Sequence, residues 1–211
     1  MLSHLFTVAG AVEGPVDEAV LRKILDQVGA TLYPIHITNG KQELLRRLPG
    51  FNRAARSAPW VVLVDLDHSA DCAPPARSHW LPEPAPLMYF RIAVRAVEAW
   101  LLADREAAAS YLGVPLARIP VDPERLDNPK QAFVDIARRW GRRKIREGLV
   151  PRPESGRLVG PTYTSHMIAY AQTFWRPEAA EQVADSLRCF RRRLSTLRDK
   201  GIGLDEFGQR Q

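Results

Sequence analysis

The run Trp60-Val61-Val62-Leu63-Val64-Asp65-Leu66-Asp67 constrains this chain more than any other stretch. Five unbroken apolar residues, three of them valine, are what a strand buried on both faces requires, and such strands belong to parallel sheets. Two carboxylates then follow at i and i+2, so a strand would turn Asp65 and Asp67 to one side while Leu66 packs on the other. Open α/β sheets bind ligands at that carboxyl end. The pair can share one cation; the alternative is that these acids cap the turn after the strand.

Around this run, strand-like and helix-like segments alternate. Residues 5–12 form another apolar run, ending in Glu13-Gly14-Pro15-Val16-Asp17, a carboxylate followed at once by a turn and a helix start. Val20, Leu21, Ile24, Leu25 and Val28 then recur at helical spacing until Gly29. Residues 31–38 predict a second strand, and residues 41–48 a helix broken by Pro49-Gly50. Five prolines within residues 69–86 predict a long surface loop. Residues 87–94 predict a fourth strand, feeding a helix over 97–112 with Glu98 in its first turn and Asp104 two turns on. Such alternation implies an α/β fold: a Rossmann-like, mostly parallel four-stranded sheet flanked by helices over residues 1–112.

No strand-like run follows, which predicts an α-helical C-terminal extension over residues 113–211. A helix over 131–145 would set Phe133, Ile136, Ala137 and Trp140 on an inner face. Arg138, Arg139, Arg142, Arg143 and Arg146 fall mostly on the other, with Lys144 beside them. Pairs such as 138/142 and 139/143 repel unless something acidic lies against them. A last helix runs from Pro177 through Leu197, and residues 151–160 form a basic loop between the two. Trp100 and Trp140 both fall at core-facing helical positions.

Charge follows the same division. Residues 1–100 carry ten Lys/Arg and ten Asp/Glu, whereas residues 101–211 carry twenty and fourteen, so the net +6 belongs to the second half. That asymmetry points to an acidic partner, nucleic acid first and DNA ahead of RNA. No apolar stretch has transmembrane length and the start lacks a signal-peptide pattern, so no membrane partner is expected and the cytoplasm is the expected compartment. Two distant cysteines, Cys72 and Cys189, suit a reducing environment. No GxxxxGK[ST] loop is present, so any ATPase activity must come from a partner chain. A second copy of the chain is a further partner to consider.

In a parallel sheet the ends of strands one, three and four share an edge, where Glu13, Asp65, Asp67 and Glu98 would converge. Clustered carboxylates repel, and a hard divalent cation, Mg²⁺ or Mn²⁺, relieves that cost while leaving positions for a phosphate substrate. Phosphoryl transfer is the chemistry that follows. Each residue also has a plainer reading. Asp17 and Glu98 each favour a helix N-terminus through the dipole, with Glu98 pairing to Arg95 or Arg91, and His68 is a ligand, a hydrogen-bond partner of the aspartates, or, as for most lone loop-edge histidines, neither.

Val12-Glu13-Gly14-Pro15-Val16-Asp17 on a strand-helix turn, followed some fifty residues later by Val64-Asp65-Leu66-Asp67, resembles the TOPRIM domain of topoisomerases, primases and overcoming-lysogenization-defect-type nucleases. A wider pattern resembles TOPRIM-like bacterial proteins associated with phage-defence loci. It comprises Arg95-Ala96-Val97-Glu98-Ala99-Trp100-Leu101-Leu102-Ala103-Asp104, Asn128-Pro129-Lys130, Val159-Gly160-Pro161-Thr162-Tyr163 and Ser186-Leu187-Arg188. The resemblance implies Glu13 as general acid/base or metal ligand, Asp65 and Asp67 as the metal pair, and Asp17 as an acid for a second metal. It makes Lys130 a stabiliser of phosphate charge and Glu98 a residue behind the metal ligands. The expected activity is Mg²⁺-dependent phosphodiester cleavage, with Arg138, Arg139, Arg142, Arg143 and Lys144 holding nucleic acid. The rival expectations are a non-catalytic binding module that docks on an ATPase, and a small-nucleotide enzyme. A proline-rich loop after His68 replaces a shorter connection, and no active-site tyrosine domain is present, so strand passage is not expected.

Overall fold

A computed structural model describes residues 6–68 and 73–199. The chain forms two compact units, each assembled from separate segments. Of the described residues, the first takes 6–64, 74–92 and 189–199; the second takes 65–68, 73 and 93–188.

The first unit holds the sheet. Strands β1 (Phe6–Val12), β2 (Ala30–Ile37), β3 (Trp60–Asp65) and β4 (Met88–Ala93) lie in the order β2-β1-β3-β4. β1 pairs in parallel with β2 and β3. Along β3 and β4 the bonds from Trp60 N–H to Leu87 O and from Leu66 N–H to Ala93 O advance in the same direction, so this pair is parallel too. The expected α/β class with a four-stranded parallel sheet is what the chain adopts. Val61, Val62, Leu63 and Val64 are at most 1% exposed. Each contributes about 1.5–3 kcal/mol of burial, which is why an unbroken apolar run marks this strand.

Helix α1 (Pro15–Asp26) begins where expected, with Pro15 at its first position and Val20, Leu21, Ile24 and Leu25 buried. Helix α2 (Lys41–Ala54) departs from expectation by running through Pro49 and Gly50. Leu44, Leu48 and Phe51 are buried along one face, and that packing outweighs the one lost backbone bond. The proline-rich segment also holds a helix, α3 (Ala73–Trp80). Pro74 and Pro75 sit in its first turn, where proline's missing donor costs nothing, and Pro82, Pro84 and Pro86 follow it. Cys72 and Leu5 lie outside the described residues.

The second unit is helical. The helix expected over 97–112 is two helices, α4 (Val97–Ala103) and α5 (Arg105–Leu112). Asp104 breaks it at ψ 76° and caps α5, its carboxylate accepting from Ala107 N–H. The helix expected over 131–145 also divides, into α6 (Pro129–Trp140) and α7 (Arg143–Leu149), because Gly141 is extended at ψ 152°. Helix α8 (Tyr163–Thr173) had no counterpart in the sequence reading, since its polar and apolar residues carry little helical periodicity. The last expected helix is split into α9 (Pro177–Ala180) and α10 (Asp185–Asp199). Trp100 is fully buried as expected, but Trp140 is 39% exposed. The turn at Gly141 ends the helical face that would have carried Trp140 inward.

Among the described residues, no helix is long and apolar enough to cross a membrane.

Candidate functional site

Glu13 and Asp17 belong to the first unit, and Asp65, Asp67, Glu98 and Lys130 to the second. In the first, Glu13 is half-buried just after β1, and its carbonyl accepts from Gly40 N–H at 3.1 Å. Asp17 is 8% exposed and its Oδ2 accepts from Gly14 N–H at 2.8 Å. The plainer reading of Asp17, a carboxylate serving its helix start, is thus part of what the side chain does.

In the second unit, Asp65 ends β3 half-buried, and its Oδ1 accepts from Val97 N–H at 3.0 Å, at the first residue of α4. Two residues on, Asp67 is exposed and left-handed at φ 49°. Arg95 is left-handed too, at φ 60°. The two clasp each other: Asp67 N–H donates to Arg95 O at 2.8 Å, and Arg95 Nη1 donates to Asp67 O at 2.8 Å. Two non-glycine residues in this region store strain of order 1–3 kcal/mol each, which the clasp must offset. The turn is thus built for position. His68 follows, exposed.

Glu98 lies in the first turn of α4, 3% exposed. Its Oε1 accepts from Tyr163 Oη at 3.0 Å and stands 3.6 Å from Lys130 Nζ. The alternative pairing with Arg95 or Arg91 is therefore replaced by partners from two distant segments. Lys130 is half-exposed, and its ammonium also stands 5.6 Å from the centre of the Tyr163 ring. The motif Asn128-Pro129-Lys130 is a helix start: Asn128 Oδ1 accepts from Gln131 N–H at 2.9 Å, and Pro129 is the first residue of α6. That puts a cation in a first turn, against the helix dipole. A buried carboxylate holding a cation at an unfavourable helix end is a local conflict of the kind functional sites retain.

Tyr163 reaches Glu98 because of Gly160. Gly160 N–H donates to Leu149 O at 2.8 Å, and a Cβ there would fall 2.2 Å from Gly148 O. Only glycine lets residues 159–163 approach the end of α7 so closely. Nearby in the same unit, Asp104 is 1% exposed and takes Arg176 through Nε at 2.9 Å and Nη2 at 2.7 Å, with Arg176 N–H a third donor at 2.9 Å. That carboxylate, with Glu106 beside it, holds the Arg176 guanidinium charged. Trp100 Nε1 donates to Ser186 Oγ at 2.7 Å, and Ser186 also bonds Glu124. The motif residues 95–104, 128–130, 159–163 and 186–188 all fall in this one unit. Tyr163 and the Asp104–Arg176 pair were not assigned roles from sequence, because no spacing reveals a partner sixty or more residues away; Arg95, expected to pair with Glu98, clasps Asp67 instead.

The basic residues divide. Arg138 pairs with Asp135, and Arg143 with Glu147 at 2.8 Å, so the acidic partners that the like-charge pairs require lie on the same helices. Arg138, Arg139, Arg142, Arg143 and Lys144 are all exposed. Among the described residues, no group of three or more His, Cys, Asp or Glu stands ready to hold a metal ion. The oxygen donors are nonetheless of the class magnesium takes, and magnesium binds proteins through as few as one or two carboxylates, with waters and substrate phosphates completing its shell. Compared with protein families, curated proteins and solved structures, the chain matches none.

Proposed function

We propose that this protein is a TOPRIM-like, Mg²⁺-dependent phosphodiesterase acting on nucleic acid. The observation that carries the reading is the Asp65/Asp67 pair, placed at the end of a parallel strand whose residues 61–64 are buried and in the strained, clasped turn that follows it. Asp65 and Asp67 are the residues to hold the cation. Bound there, Mg²⁺ would neutralise phosphate charge and make a bound water more acidic. Lys130, steadied by Glu98, offers a positive charge to a phosphoryl oxygen. The exposed cations at Arg138, Arg139, Arg142, Arg143 and Lys144 hold the phosphate backbone.

The test titrates Mg²⁺ and Mn²⁺ into the wild type and into Asp65→Asn/Asp67→Asn, then adds plasmid. Asparagine keeps an oxygen for Val97 N–H, so the fold is spared. Metal binding and nicking by the wild type alone supports the reading; equal behaviour of the two proteins ends it. A role in phage defence predicts that cells lose protection with the same double variant, and unchanged plating efficiency would remove that role.

A second reading is a binding module without turnover, working with a separate ATPase. It is favoured by the structural bonds already made by Asp65, Asp17 and Glu98, and by the absence of a three-residue metal group among the described residues. It predicts DNA binding that persists in the double variant and no cleavage by either protein.

A further inference from the structure

Trp140 closes α6 with 39% of its surface in solvent, while Trp100 and Trp175 of the same unit are at most 1% exposed. A lone exposed aromatic needs no explanation. Its surroundings do. The Arg118 guanidinium stands 4.6 Å from the centre of the indole and that of Arg139 at 5.8 Å. The chain then turns at Gly141, and α7 starts with Arg143 and Lys144. Arg142, between them, is pinned: its N–H donates to Leu112 O at 3.0 Å, and its side chain covers Gly113, which closes α5 in the left-handed region at φ 71°. Among the described residues, Arg118, Arg139, Arg142, Lys144 and Arg146 form no ion pair. Such a gathering of cations is unfavourable by itself and favourable once phosphate neutralises it.

We propose that this corner is a stacking platform for single-stranded nucleic acid, with a base on the exposed indole and the flanking phosphates on the arginines. Cations alone would serve a duplex equally well. An exposed indole adds something only for an unstacked base, because in a duplex each base face is covered by its neighbours. The guanidiniums held over the ring fix its orientation and leave its solvent-facing part for a base, so little freedom remains to be lost on binding. This deepens the phosphodiesterase reading by naming its substrate as single-stranded, and it rests on that reading only for the expectation of nucleic acid.

The experiment is anisotropy titration of labelled oligo(dT), and of a duplex of equal length, into the full chain in EDTA, so that binding is read without cleavage. Trp140→Ala should weaken oligo(dT) binding roughly tenfold while leaving the duplex within about twofold, and Trp140→Phe should retain most of the affinity. Arg118→Ala should flatten the salt dependence of oligo(dT) binding by about one phosphate contact, and it decides the matter should Trp140→Ala fail to fold. Wild-type affinity of Trp140→Ala, equal losses on strand and duplex, an unchanged salt slope in Arg118→Ala, or no binding to either nucleic acid would each overturn the proposal. A chain that binds strand through Trp140 but cuts neither plasmid nor oligo(dT) in Mg²⁺ keeps this inference and loses the nuclease. One that cuts while indifferent to Trp140→Ala does the reverse.

Discussion

The two units satisfy their buried polar groups in different ways. In the first, Asp17 reaches back three residues to Gly14, and Thr38 bonds the carbonyl of Val12 on the neighbouring strand. In the second, Glu98 meets Tyr163 across 65 residues, Asp104 meets Arg176 across 72, and Trp100 meets Ser186 across 86. The first unit is an apolar core with local polar accessories. The second is held by specific long-range bonds, so each of its polar partners matters more, because removing one leaves a buried donor or acceptor unpaired.

That contrast can be broken most readily at Asp104. Asp104→Ala strands Arg176 and opens the start of α5, and should cost about 3 kcal/mol in urea unfolding, toward the lower end for a buried pair because Arg176 is 45% exposed. Hydrogen exchange should show the loss in α4 and α5 before the β1–β3 ladder; a loss under about 1 kcal/mol would mean the long-range bonds are dispensable. Glu98→Gln is the next test, since glutamine still accepts from Tyr163 but no longer holds Lys130. It should cost roughly 1–2 kcal/mol, and the difference from wild type should narrow with added salt. An equal cost at all salt concentrations would show that the charge is not what matters there.

In the first unit, Asp17→Ala removes only a helix-start bond and should cost about 1 kcal/mol in the same denaturation. A cost matching that of Asp104→Ala would erase the distinction between the units. The smallest effect concerns His166, whose Nδ1 stands 2.7 Å from Tyr111 Oη. Burial, and then Lys144, hold the ring below its ordinary value of 6.5. A lowered value means the unfolded chain takes up the proton first, so stability is present above 6.5 and declines as pH falls below it. His166→Gln should flatten that decline in thermal melts; an unchanged profile would assign it to other groups. Burial also pushes the Tyr111 hydroxyl up to about 12.

The sheet was legible because its signals are local. The β3 run, the Glu13-Gly14-Pro15 turn and the periodicity of α1 each lie within a dozen residues, and backbone and burial follow them directly. Prolines misled twice: Pro49 sits inside α2, and Pro74 and Pro75 open α3. A proline forbids a bond at one position and says nothing of the packing that compensates for it. Asp104 and Gly141 misled because a helical pattern of apolar residues continues past a break unmarked. Trp140 followed that pattern and was read as core.

Of the site, the sequence by itself determined which acids end the strand and which cations crowd the second half. It did so because strand period and charge are properties of adjacent residues. Only tertiary structure decided that Glu98 holds Lys130 and Tyr163, that Asp67 and Arg95 share a strained clasp, and that Trp140 faces solvent among arginines. Those outcomes depend on where helices break and which distant segments return to meet them, and no local spacing encodes either.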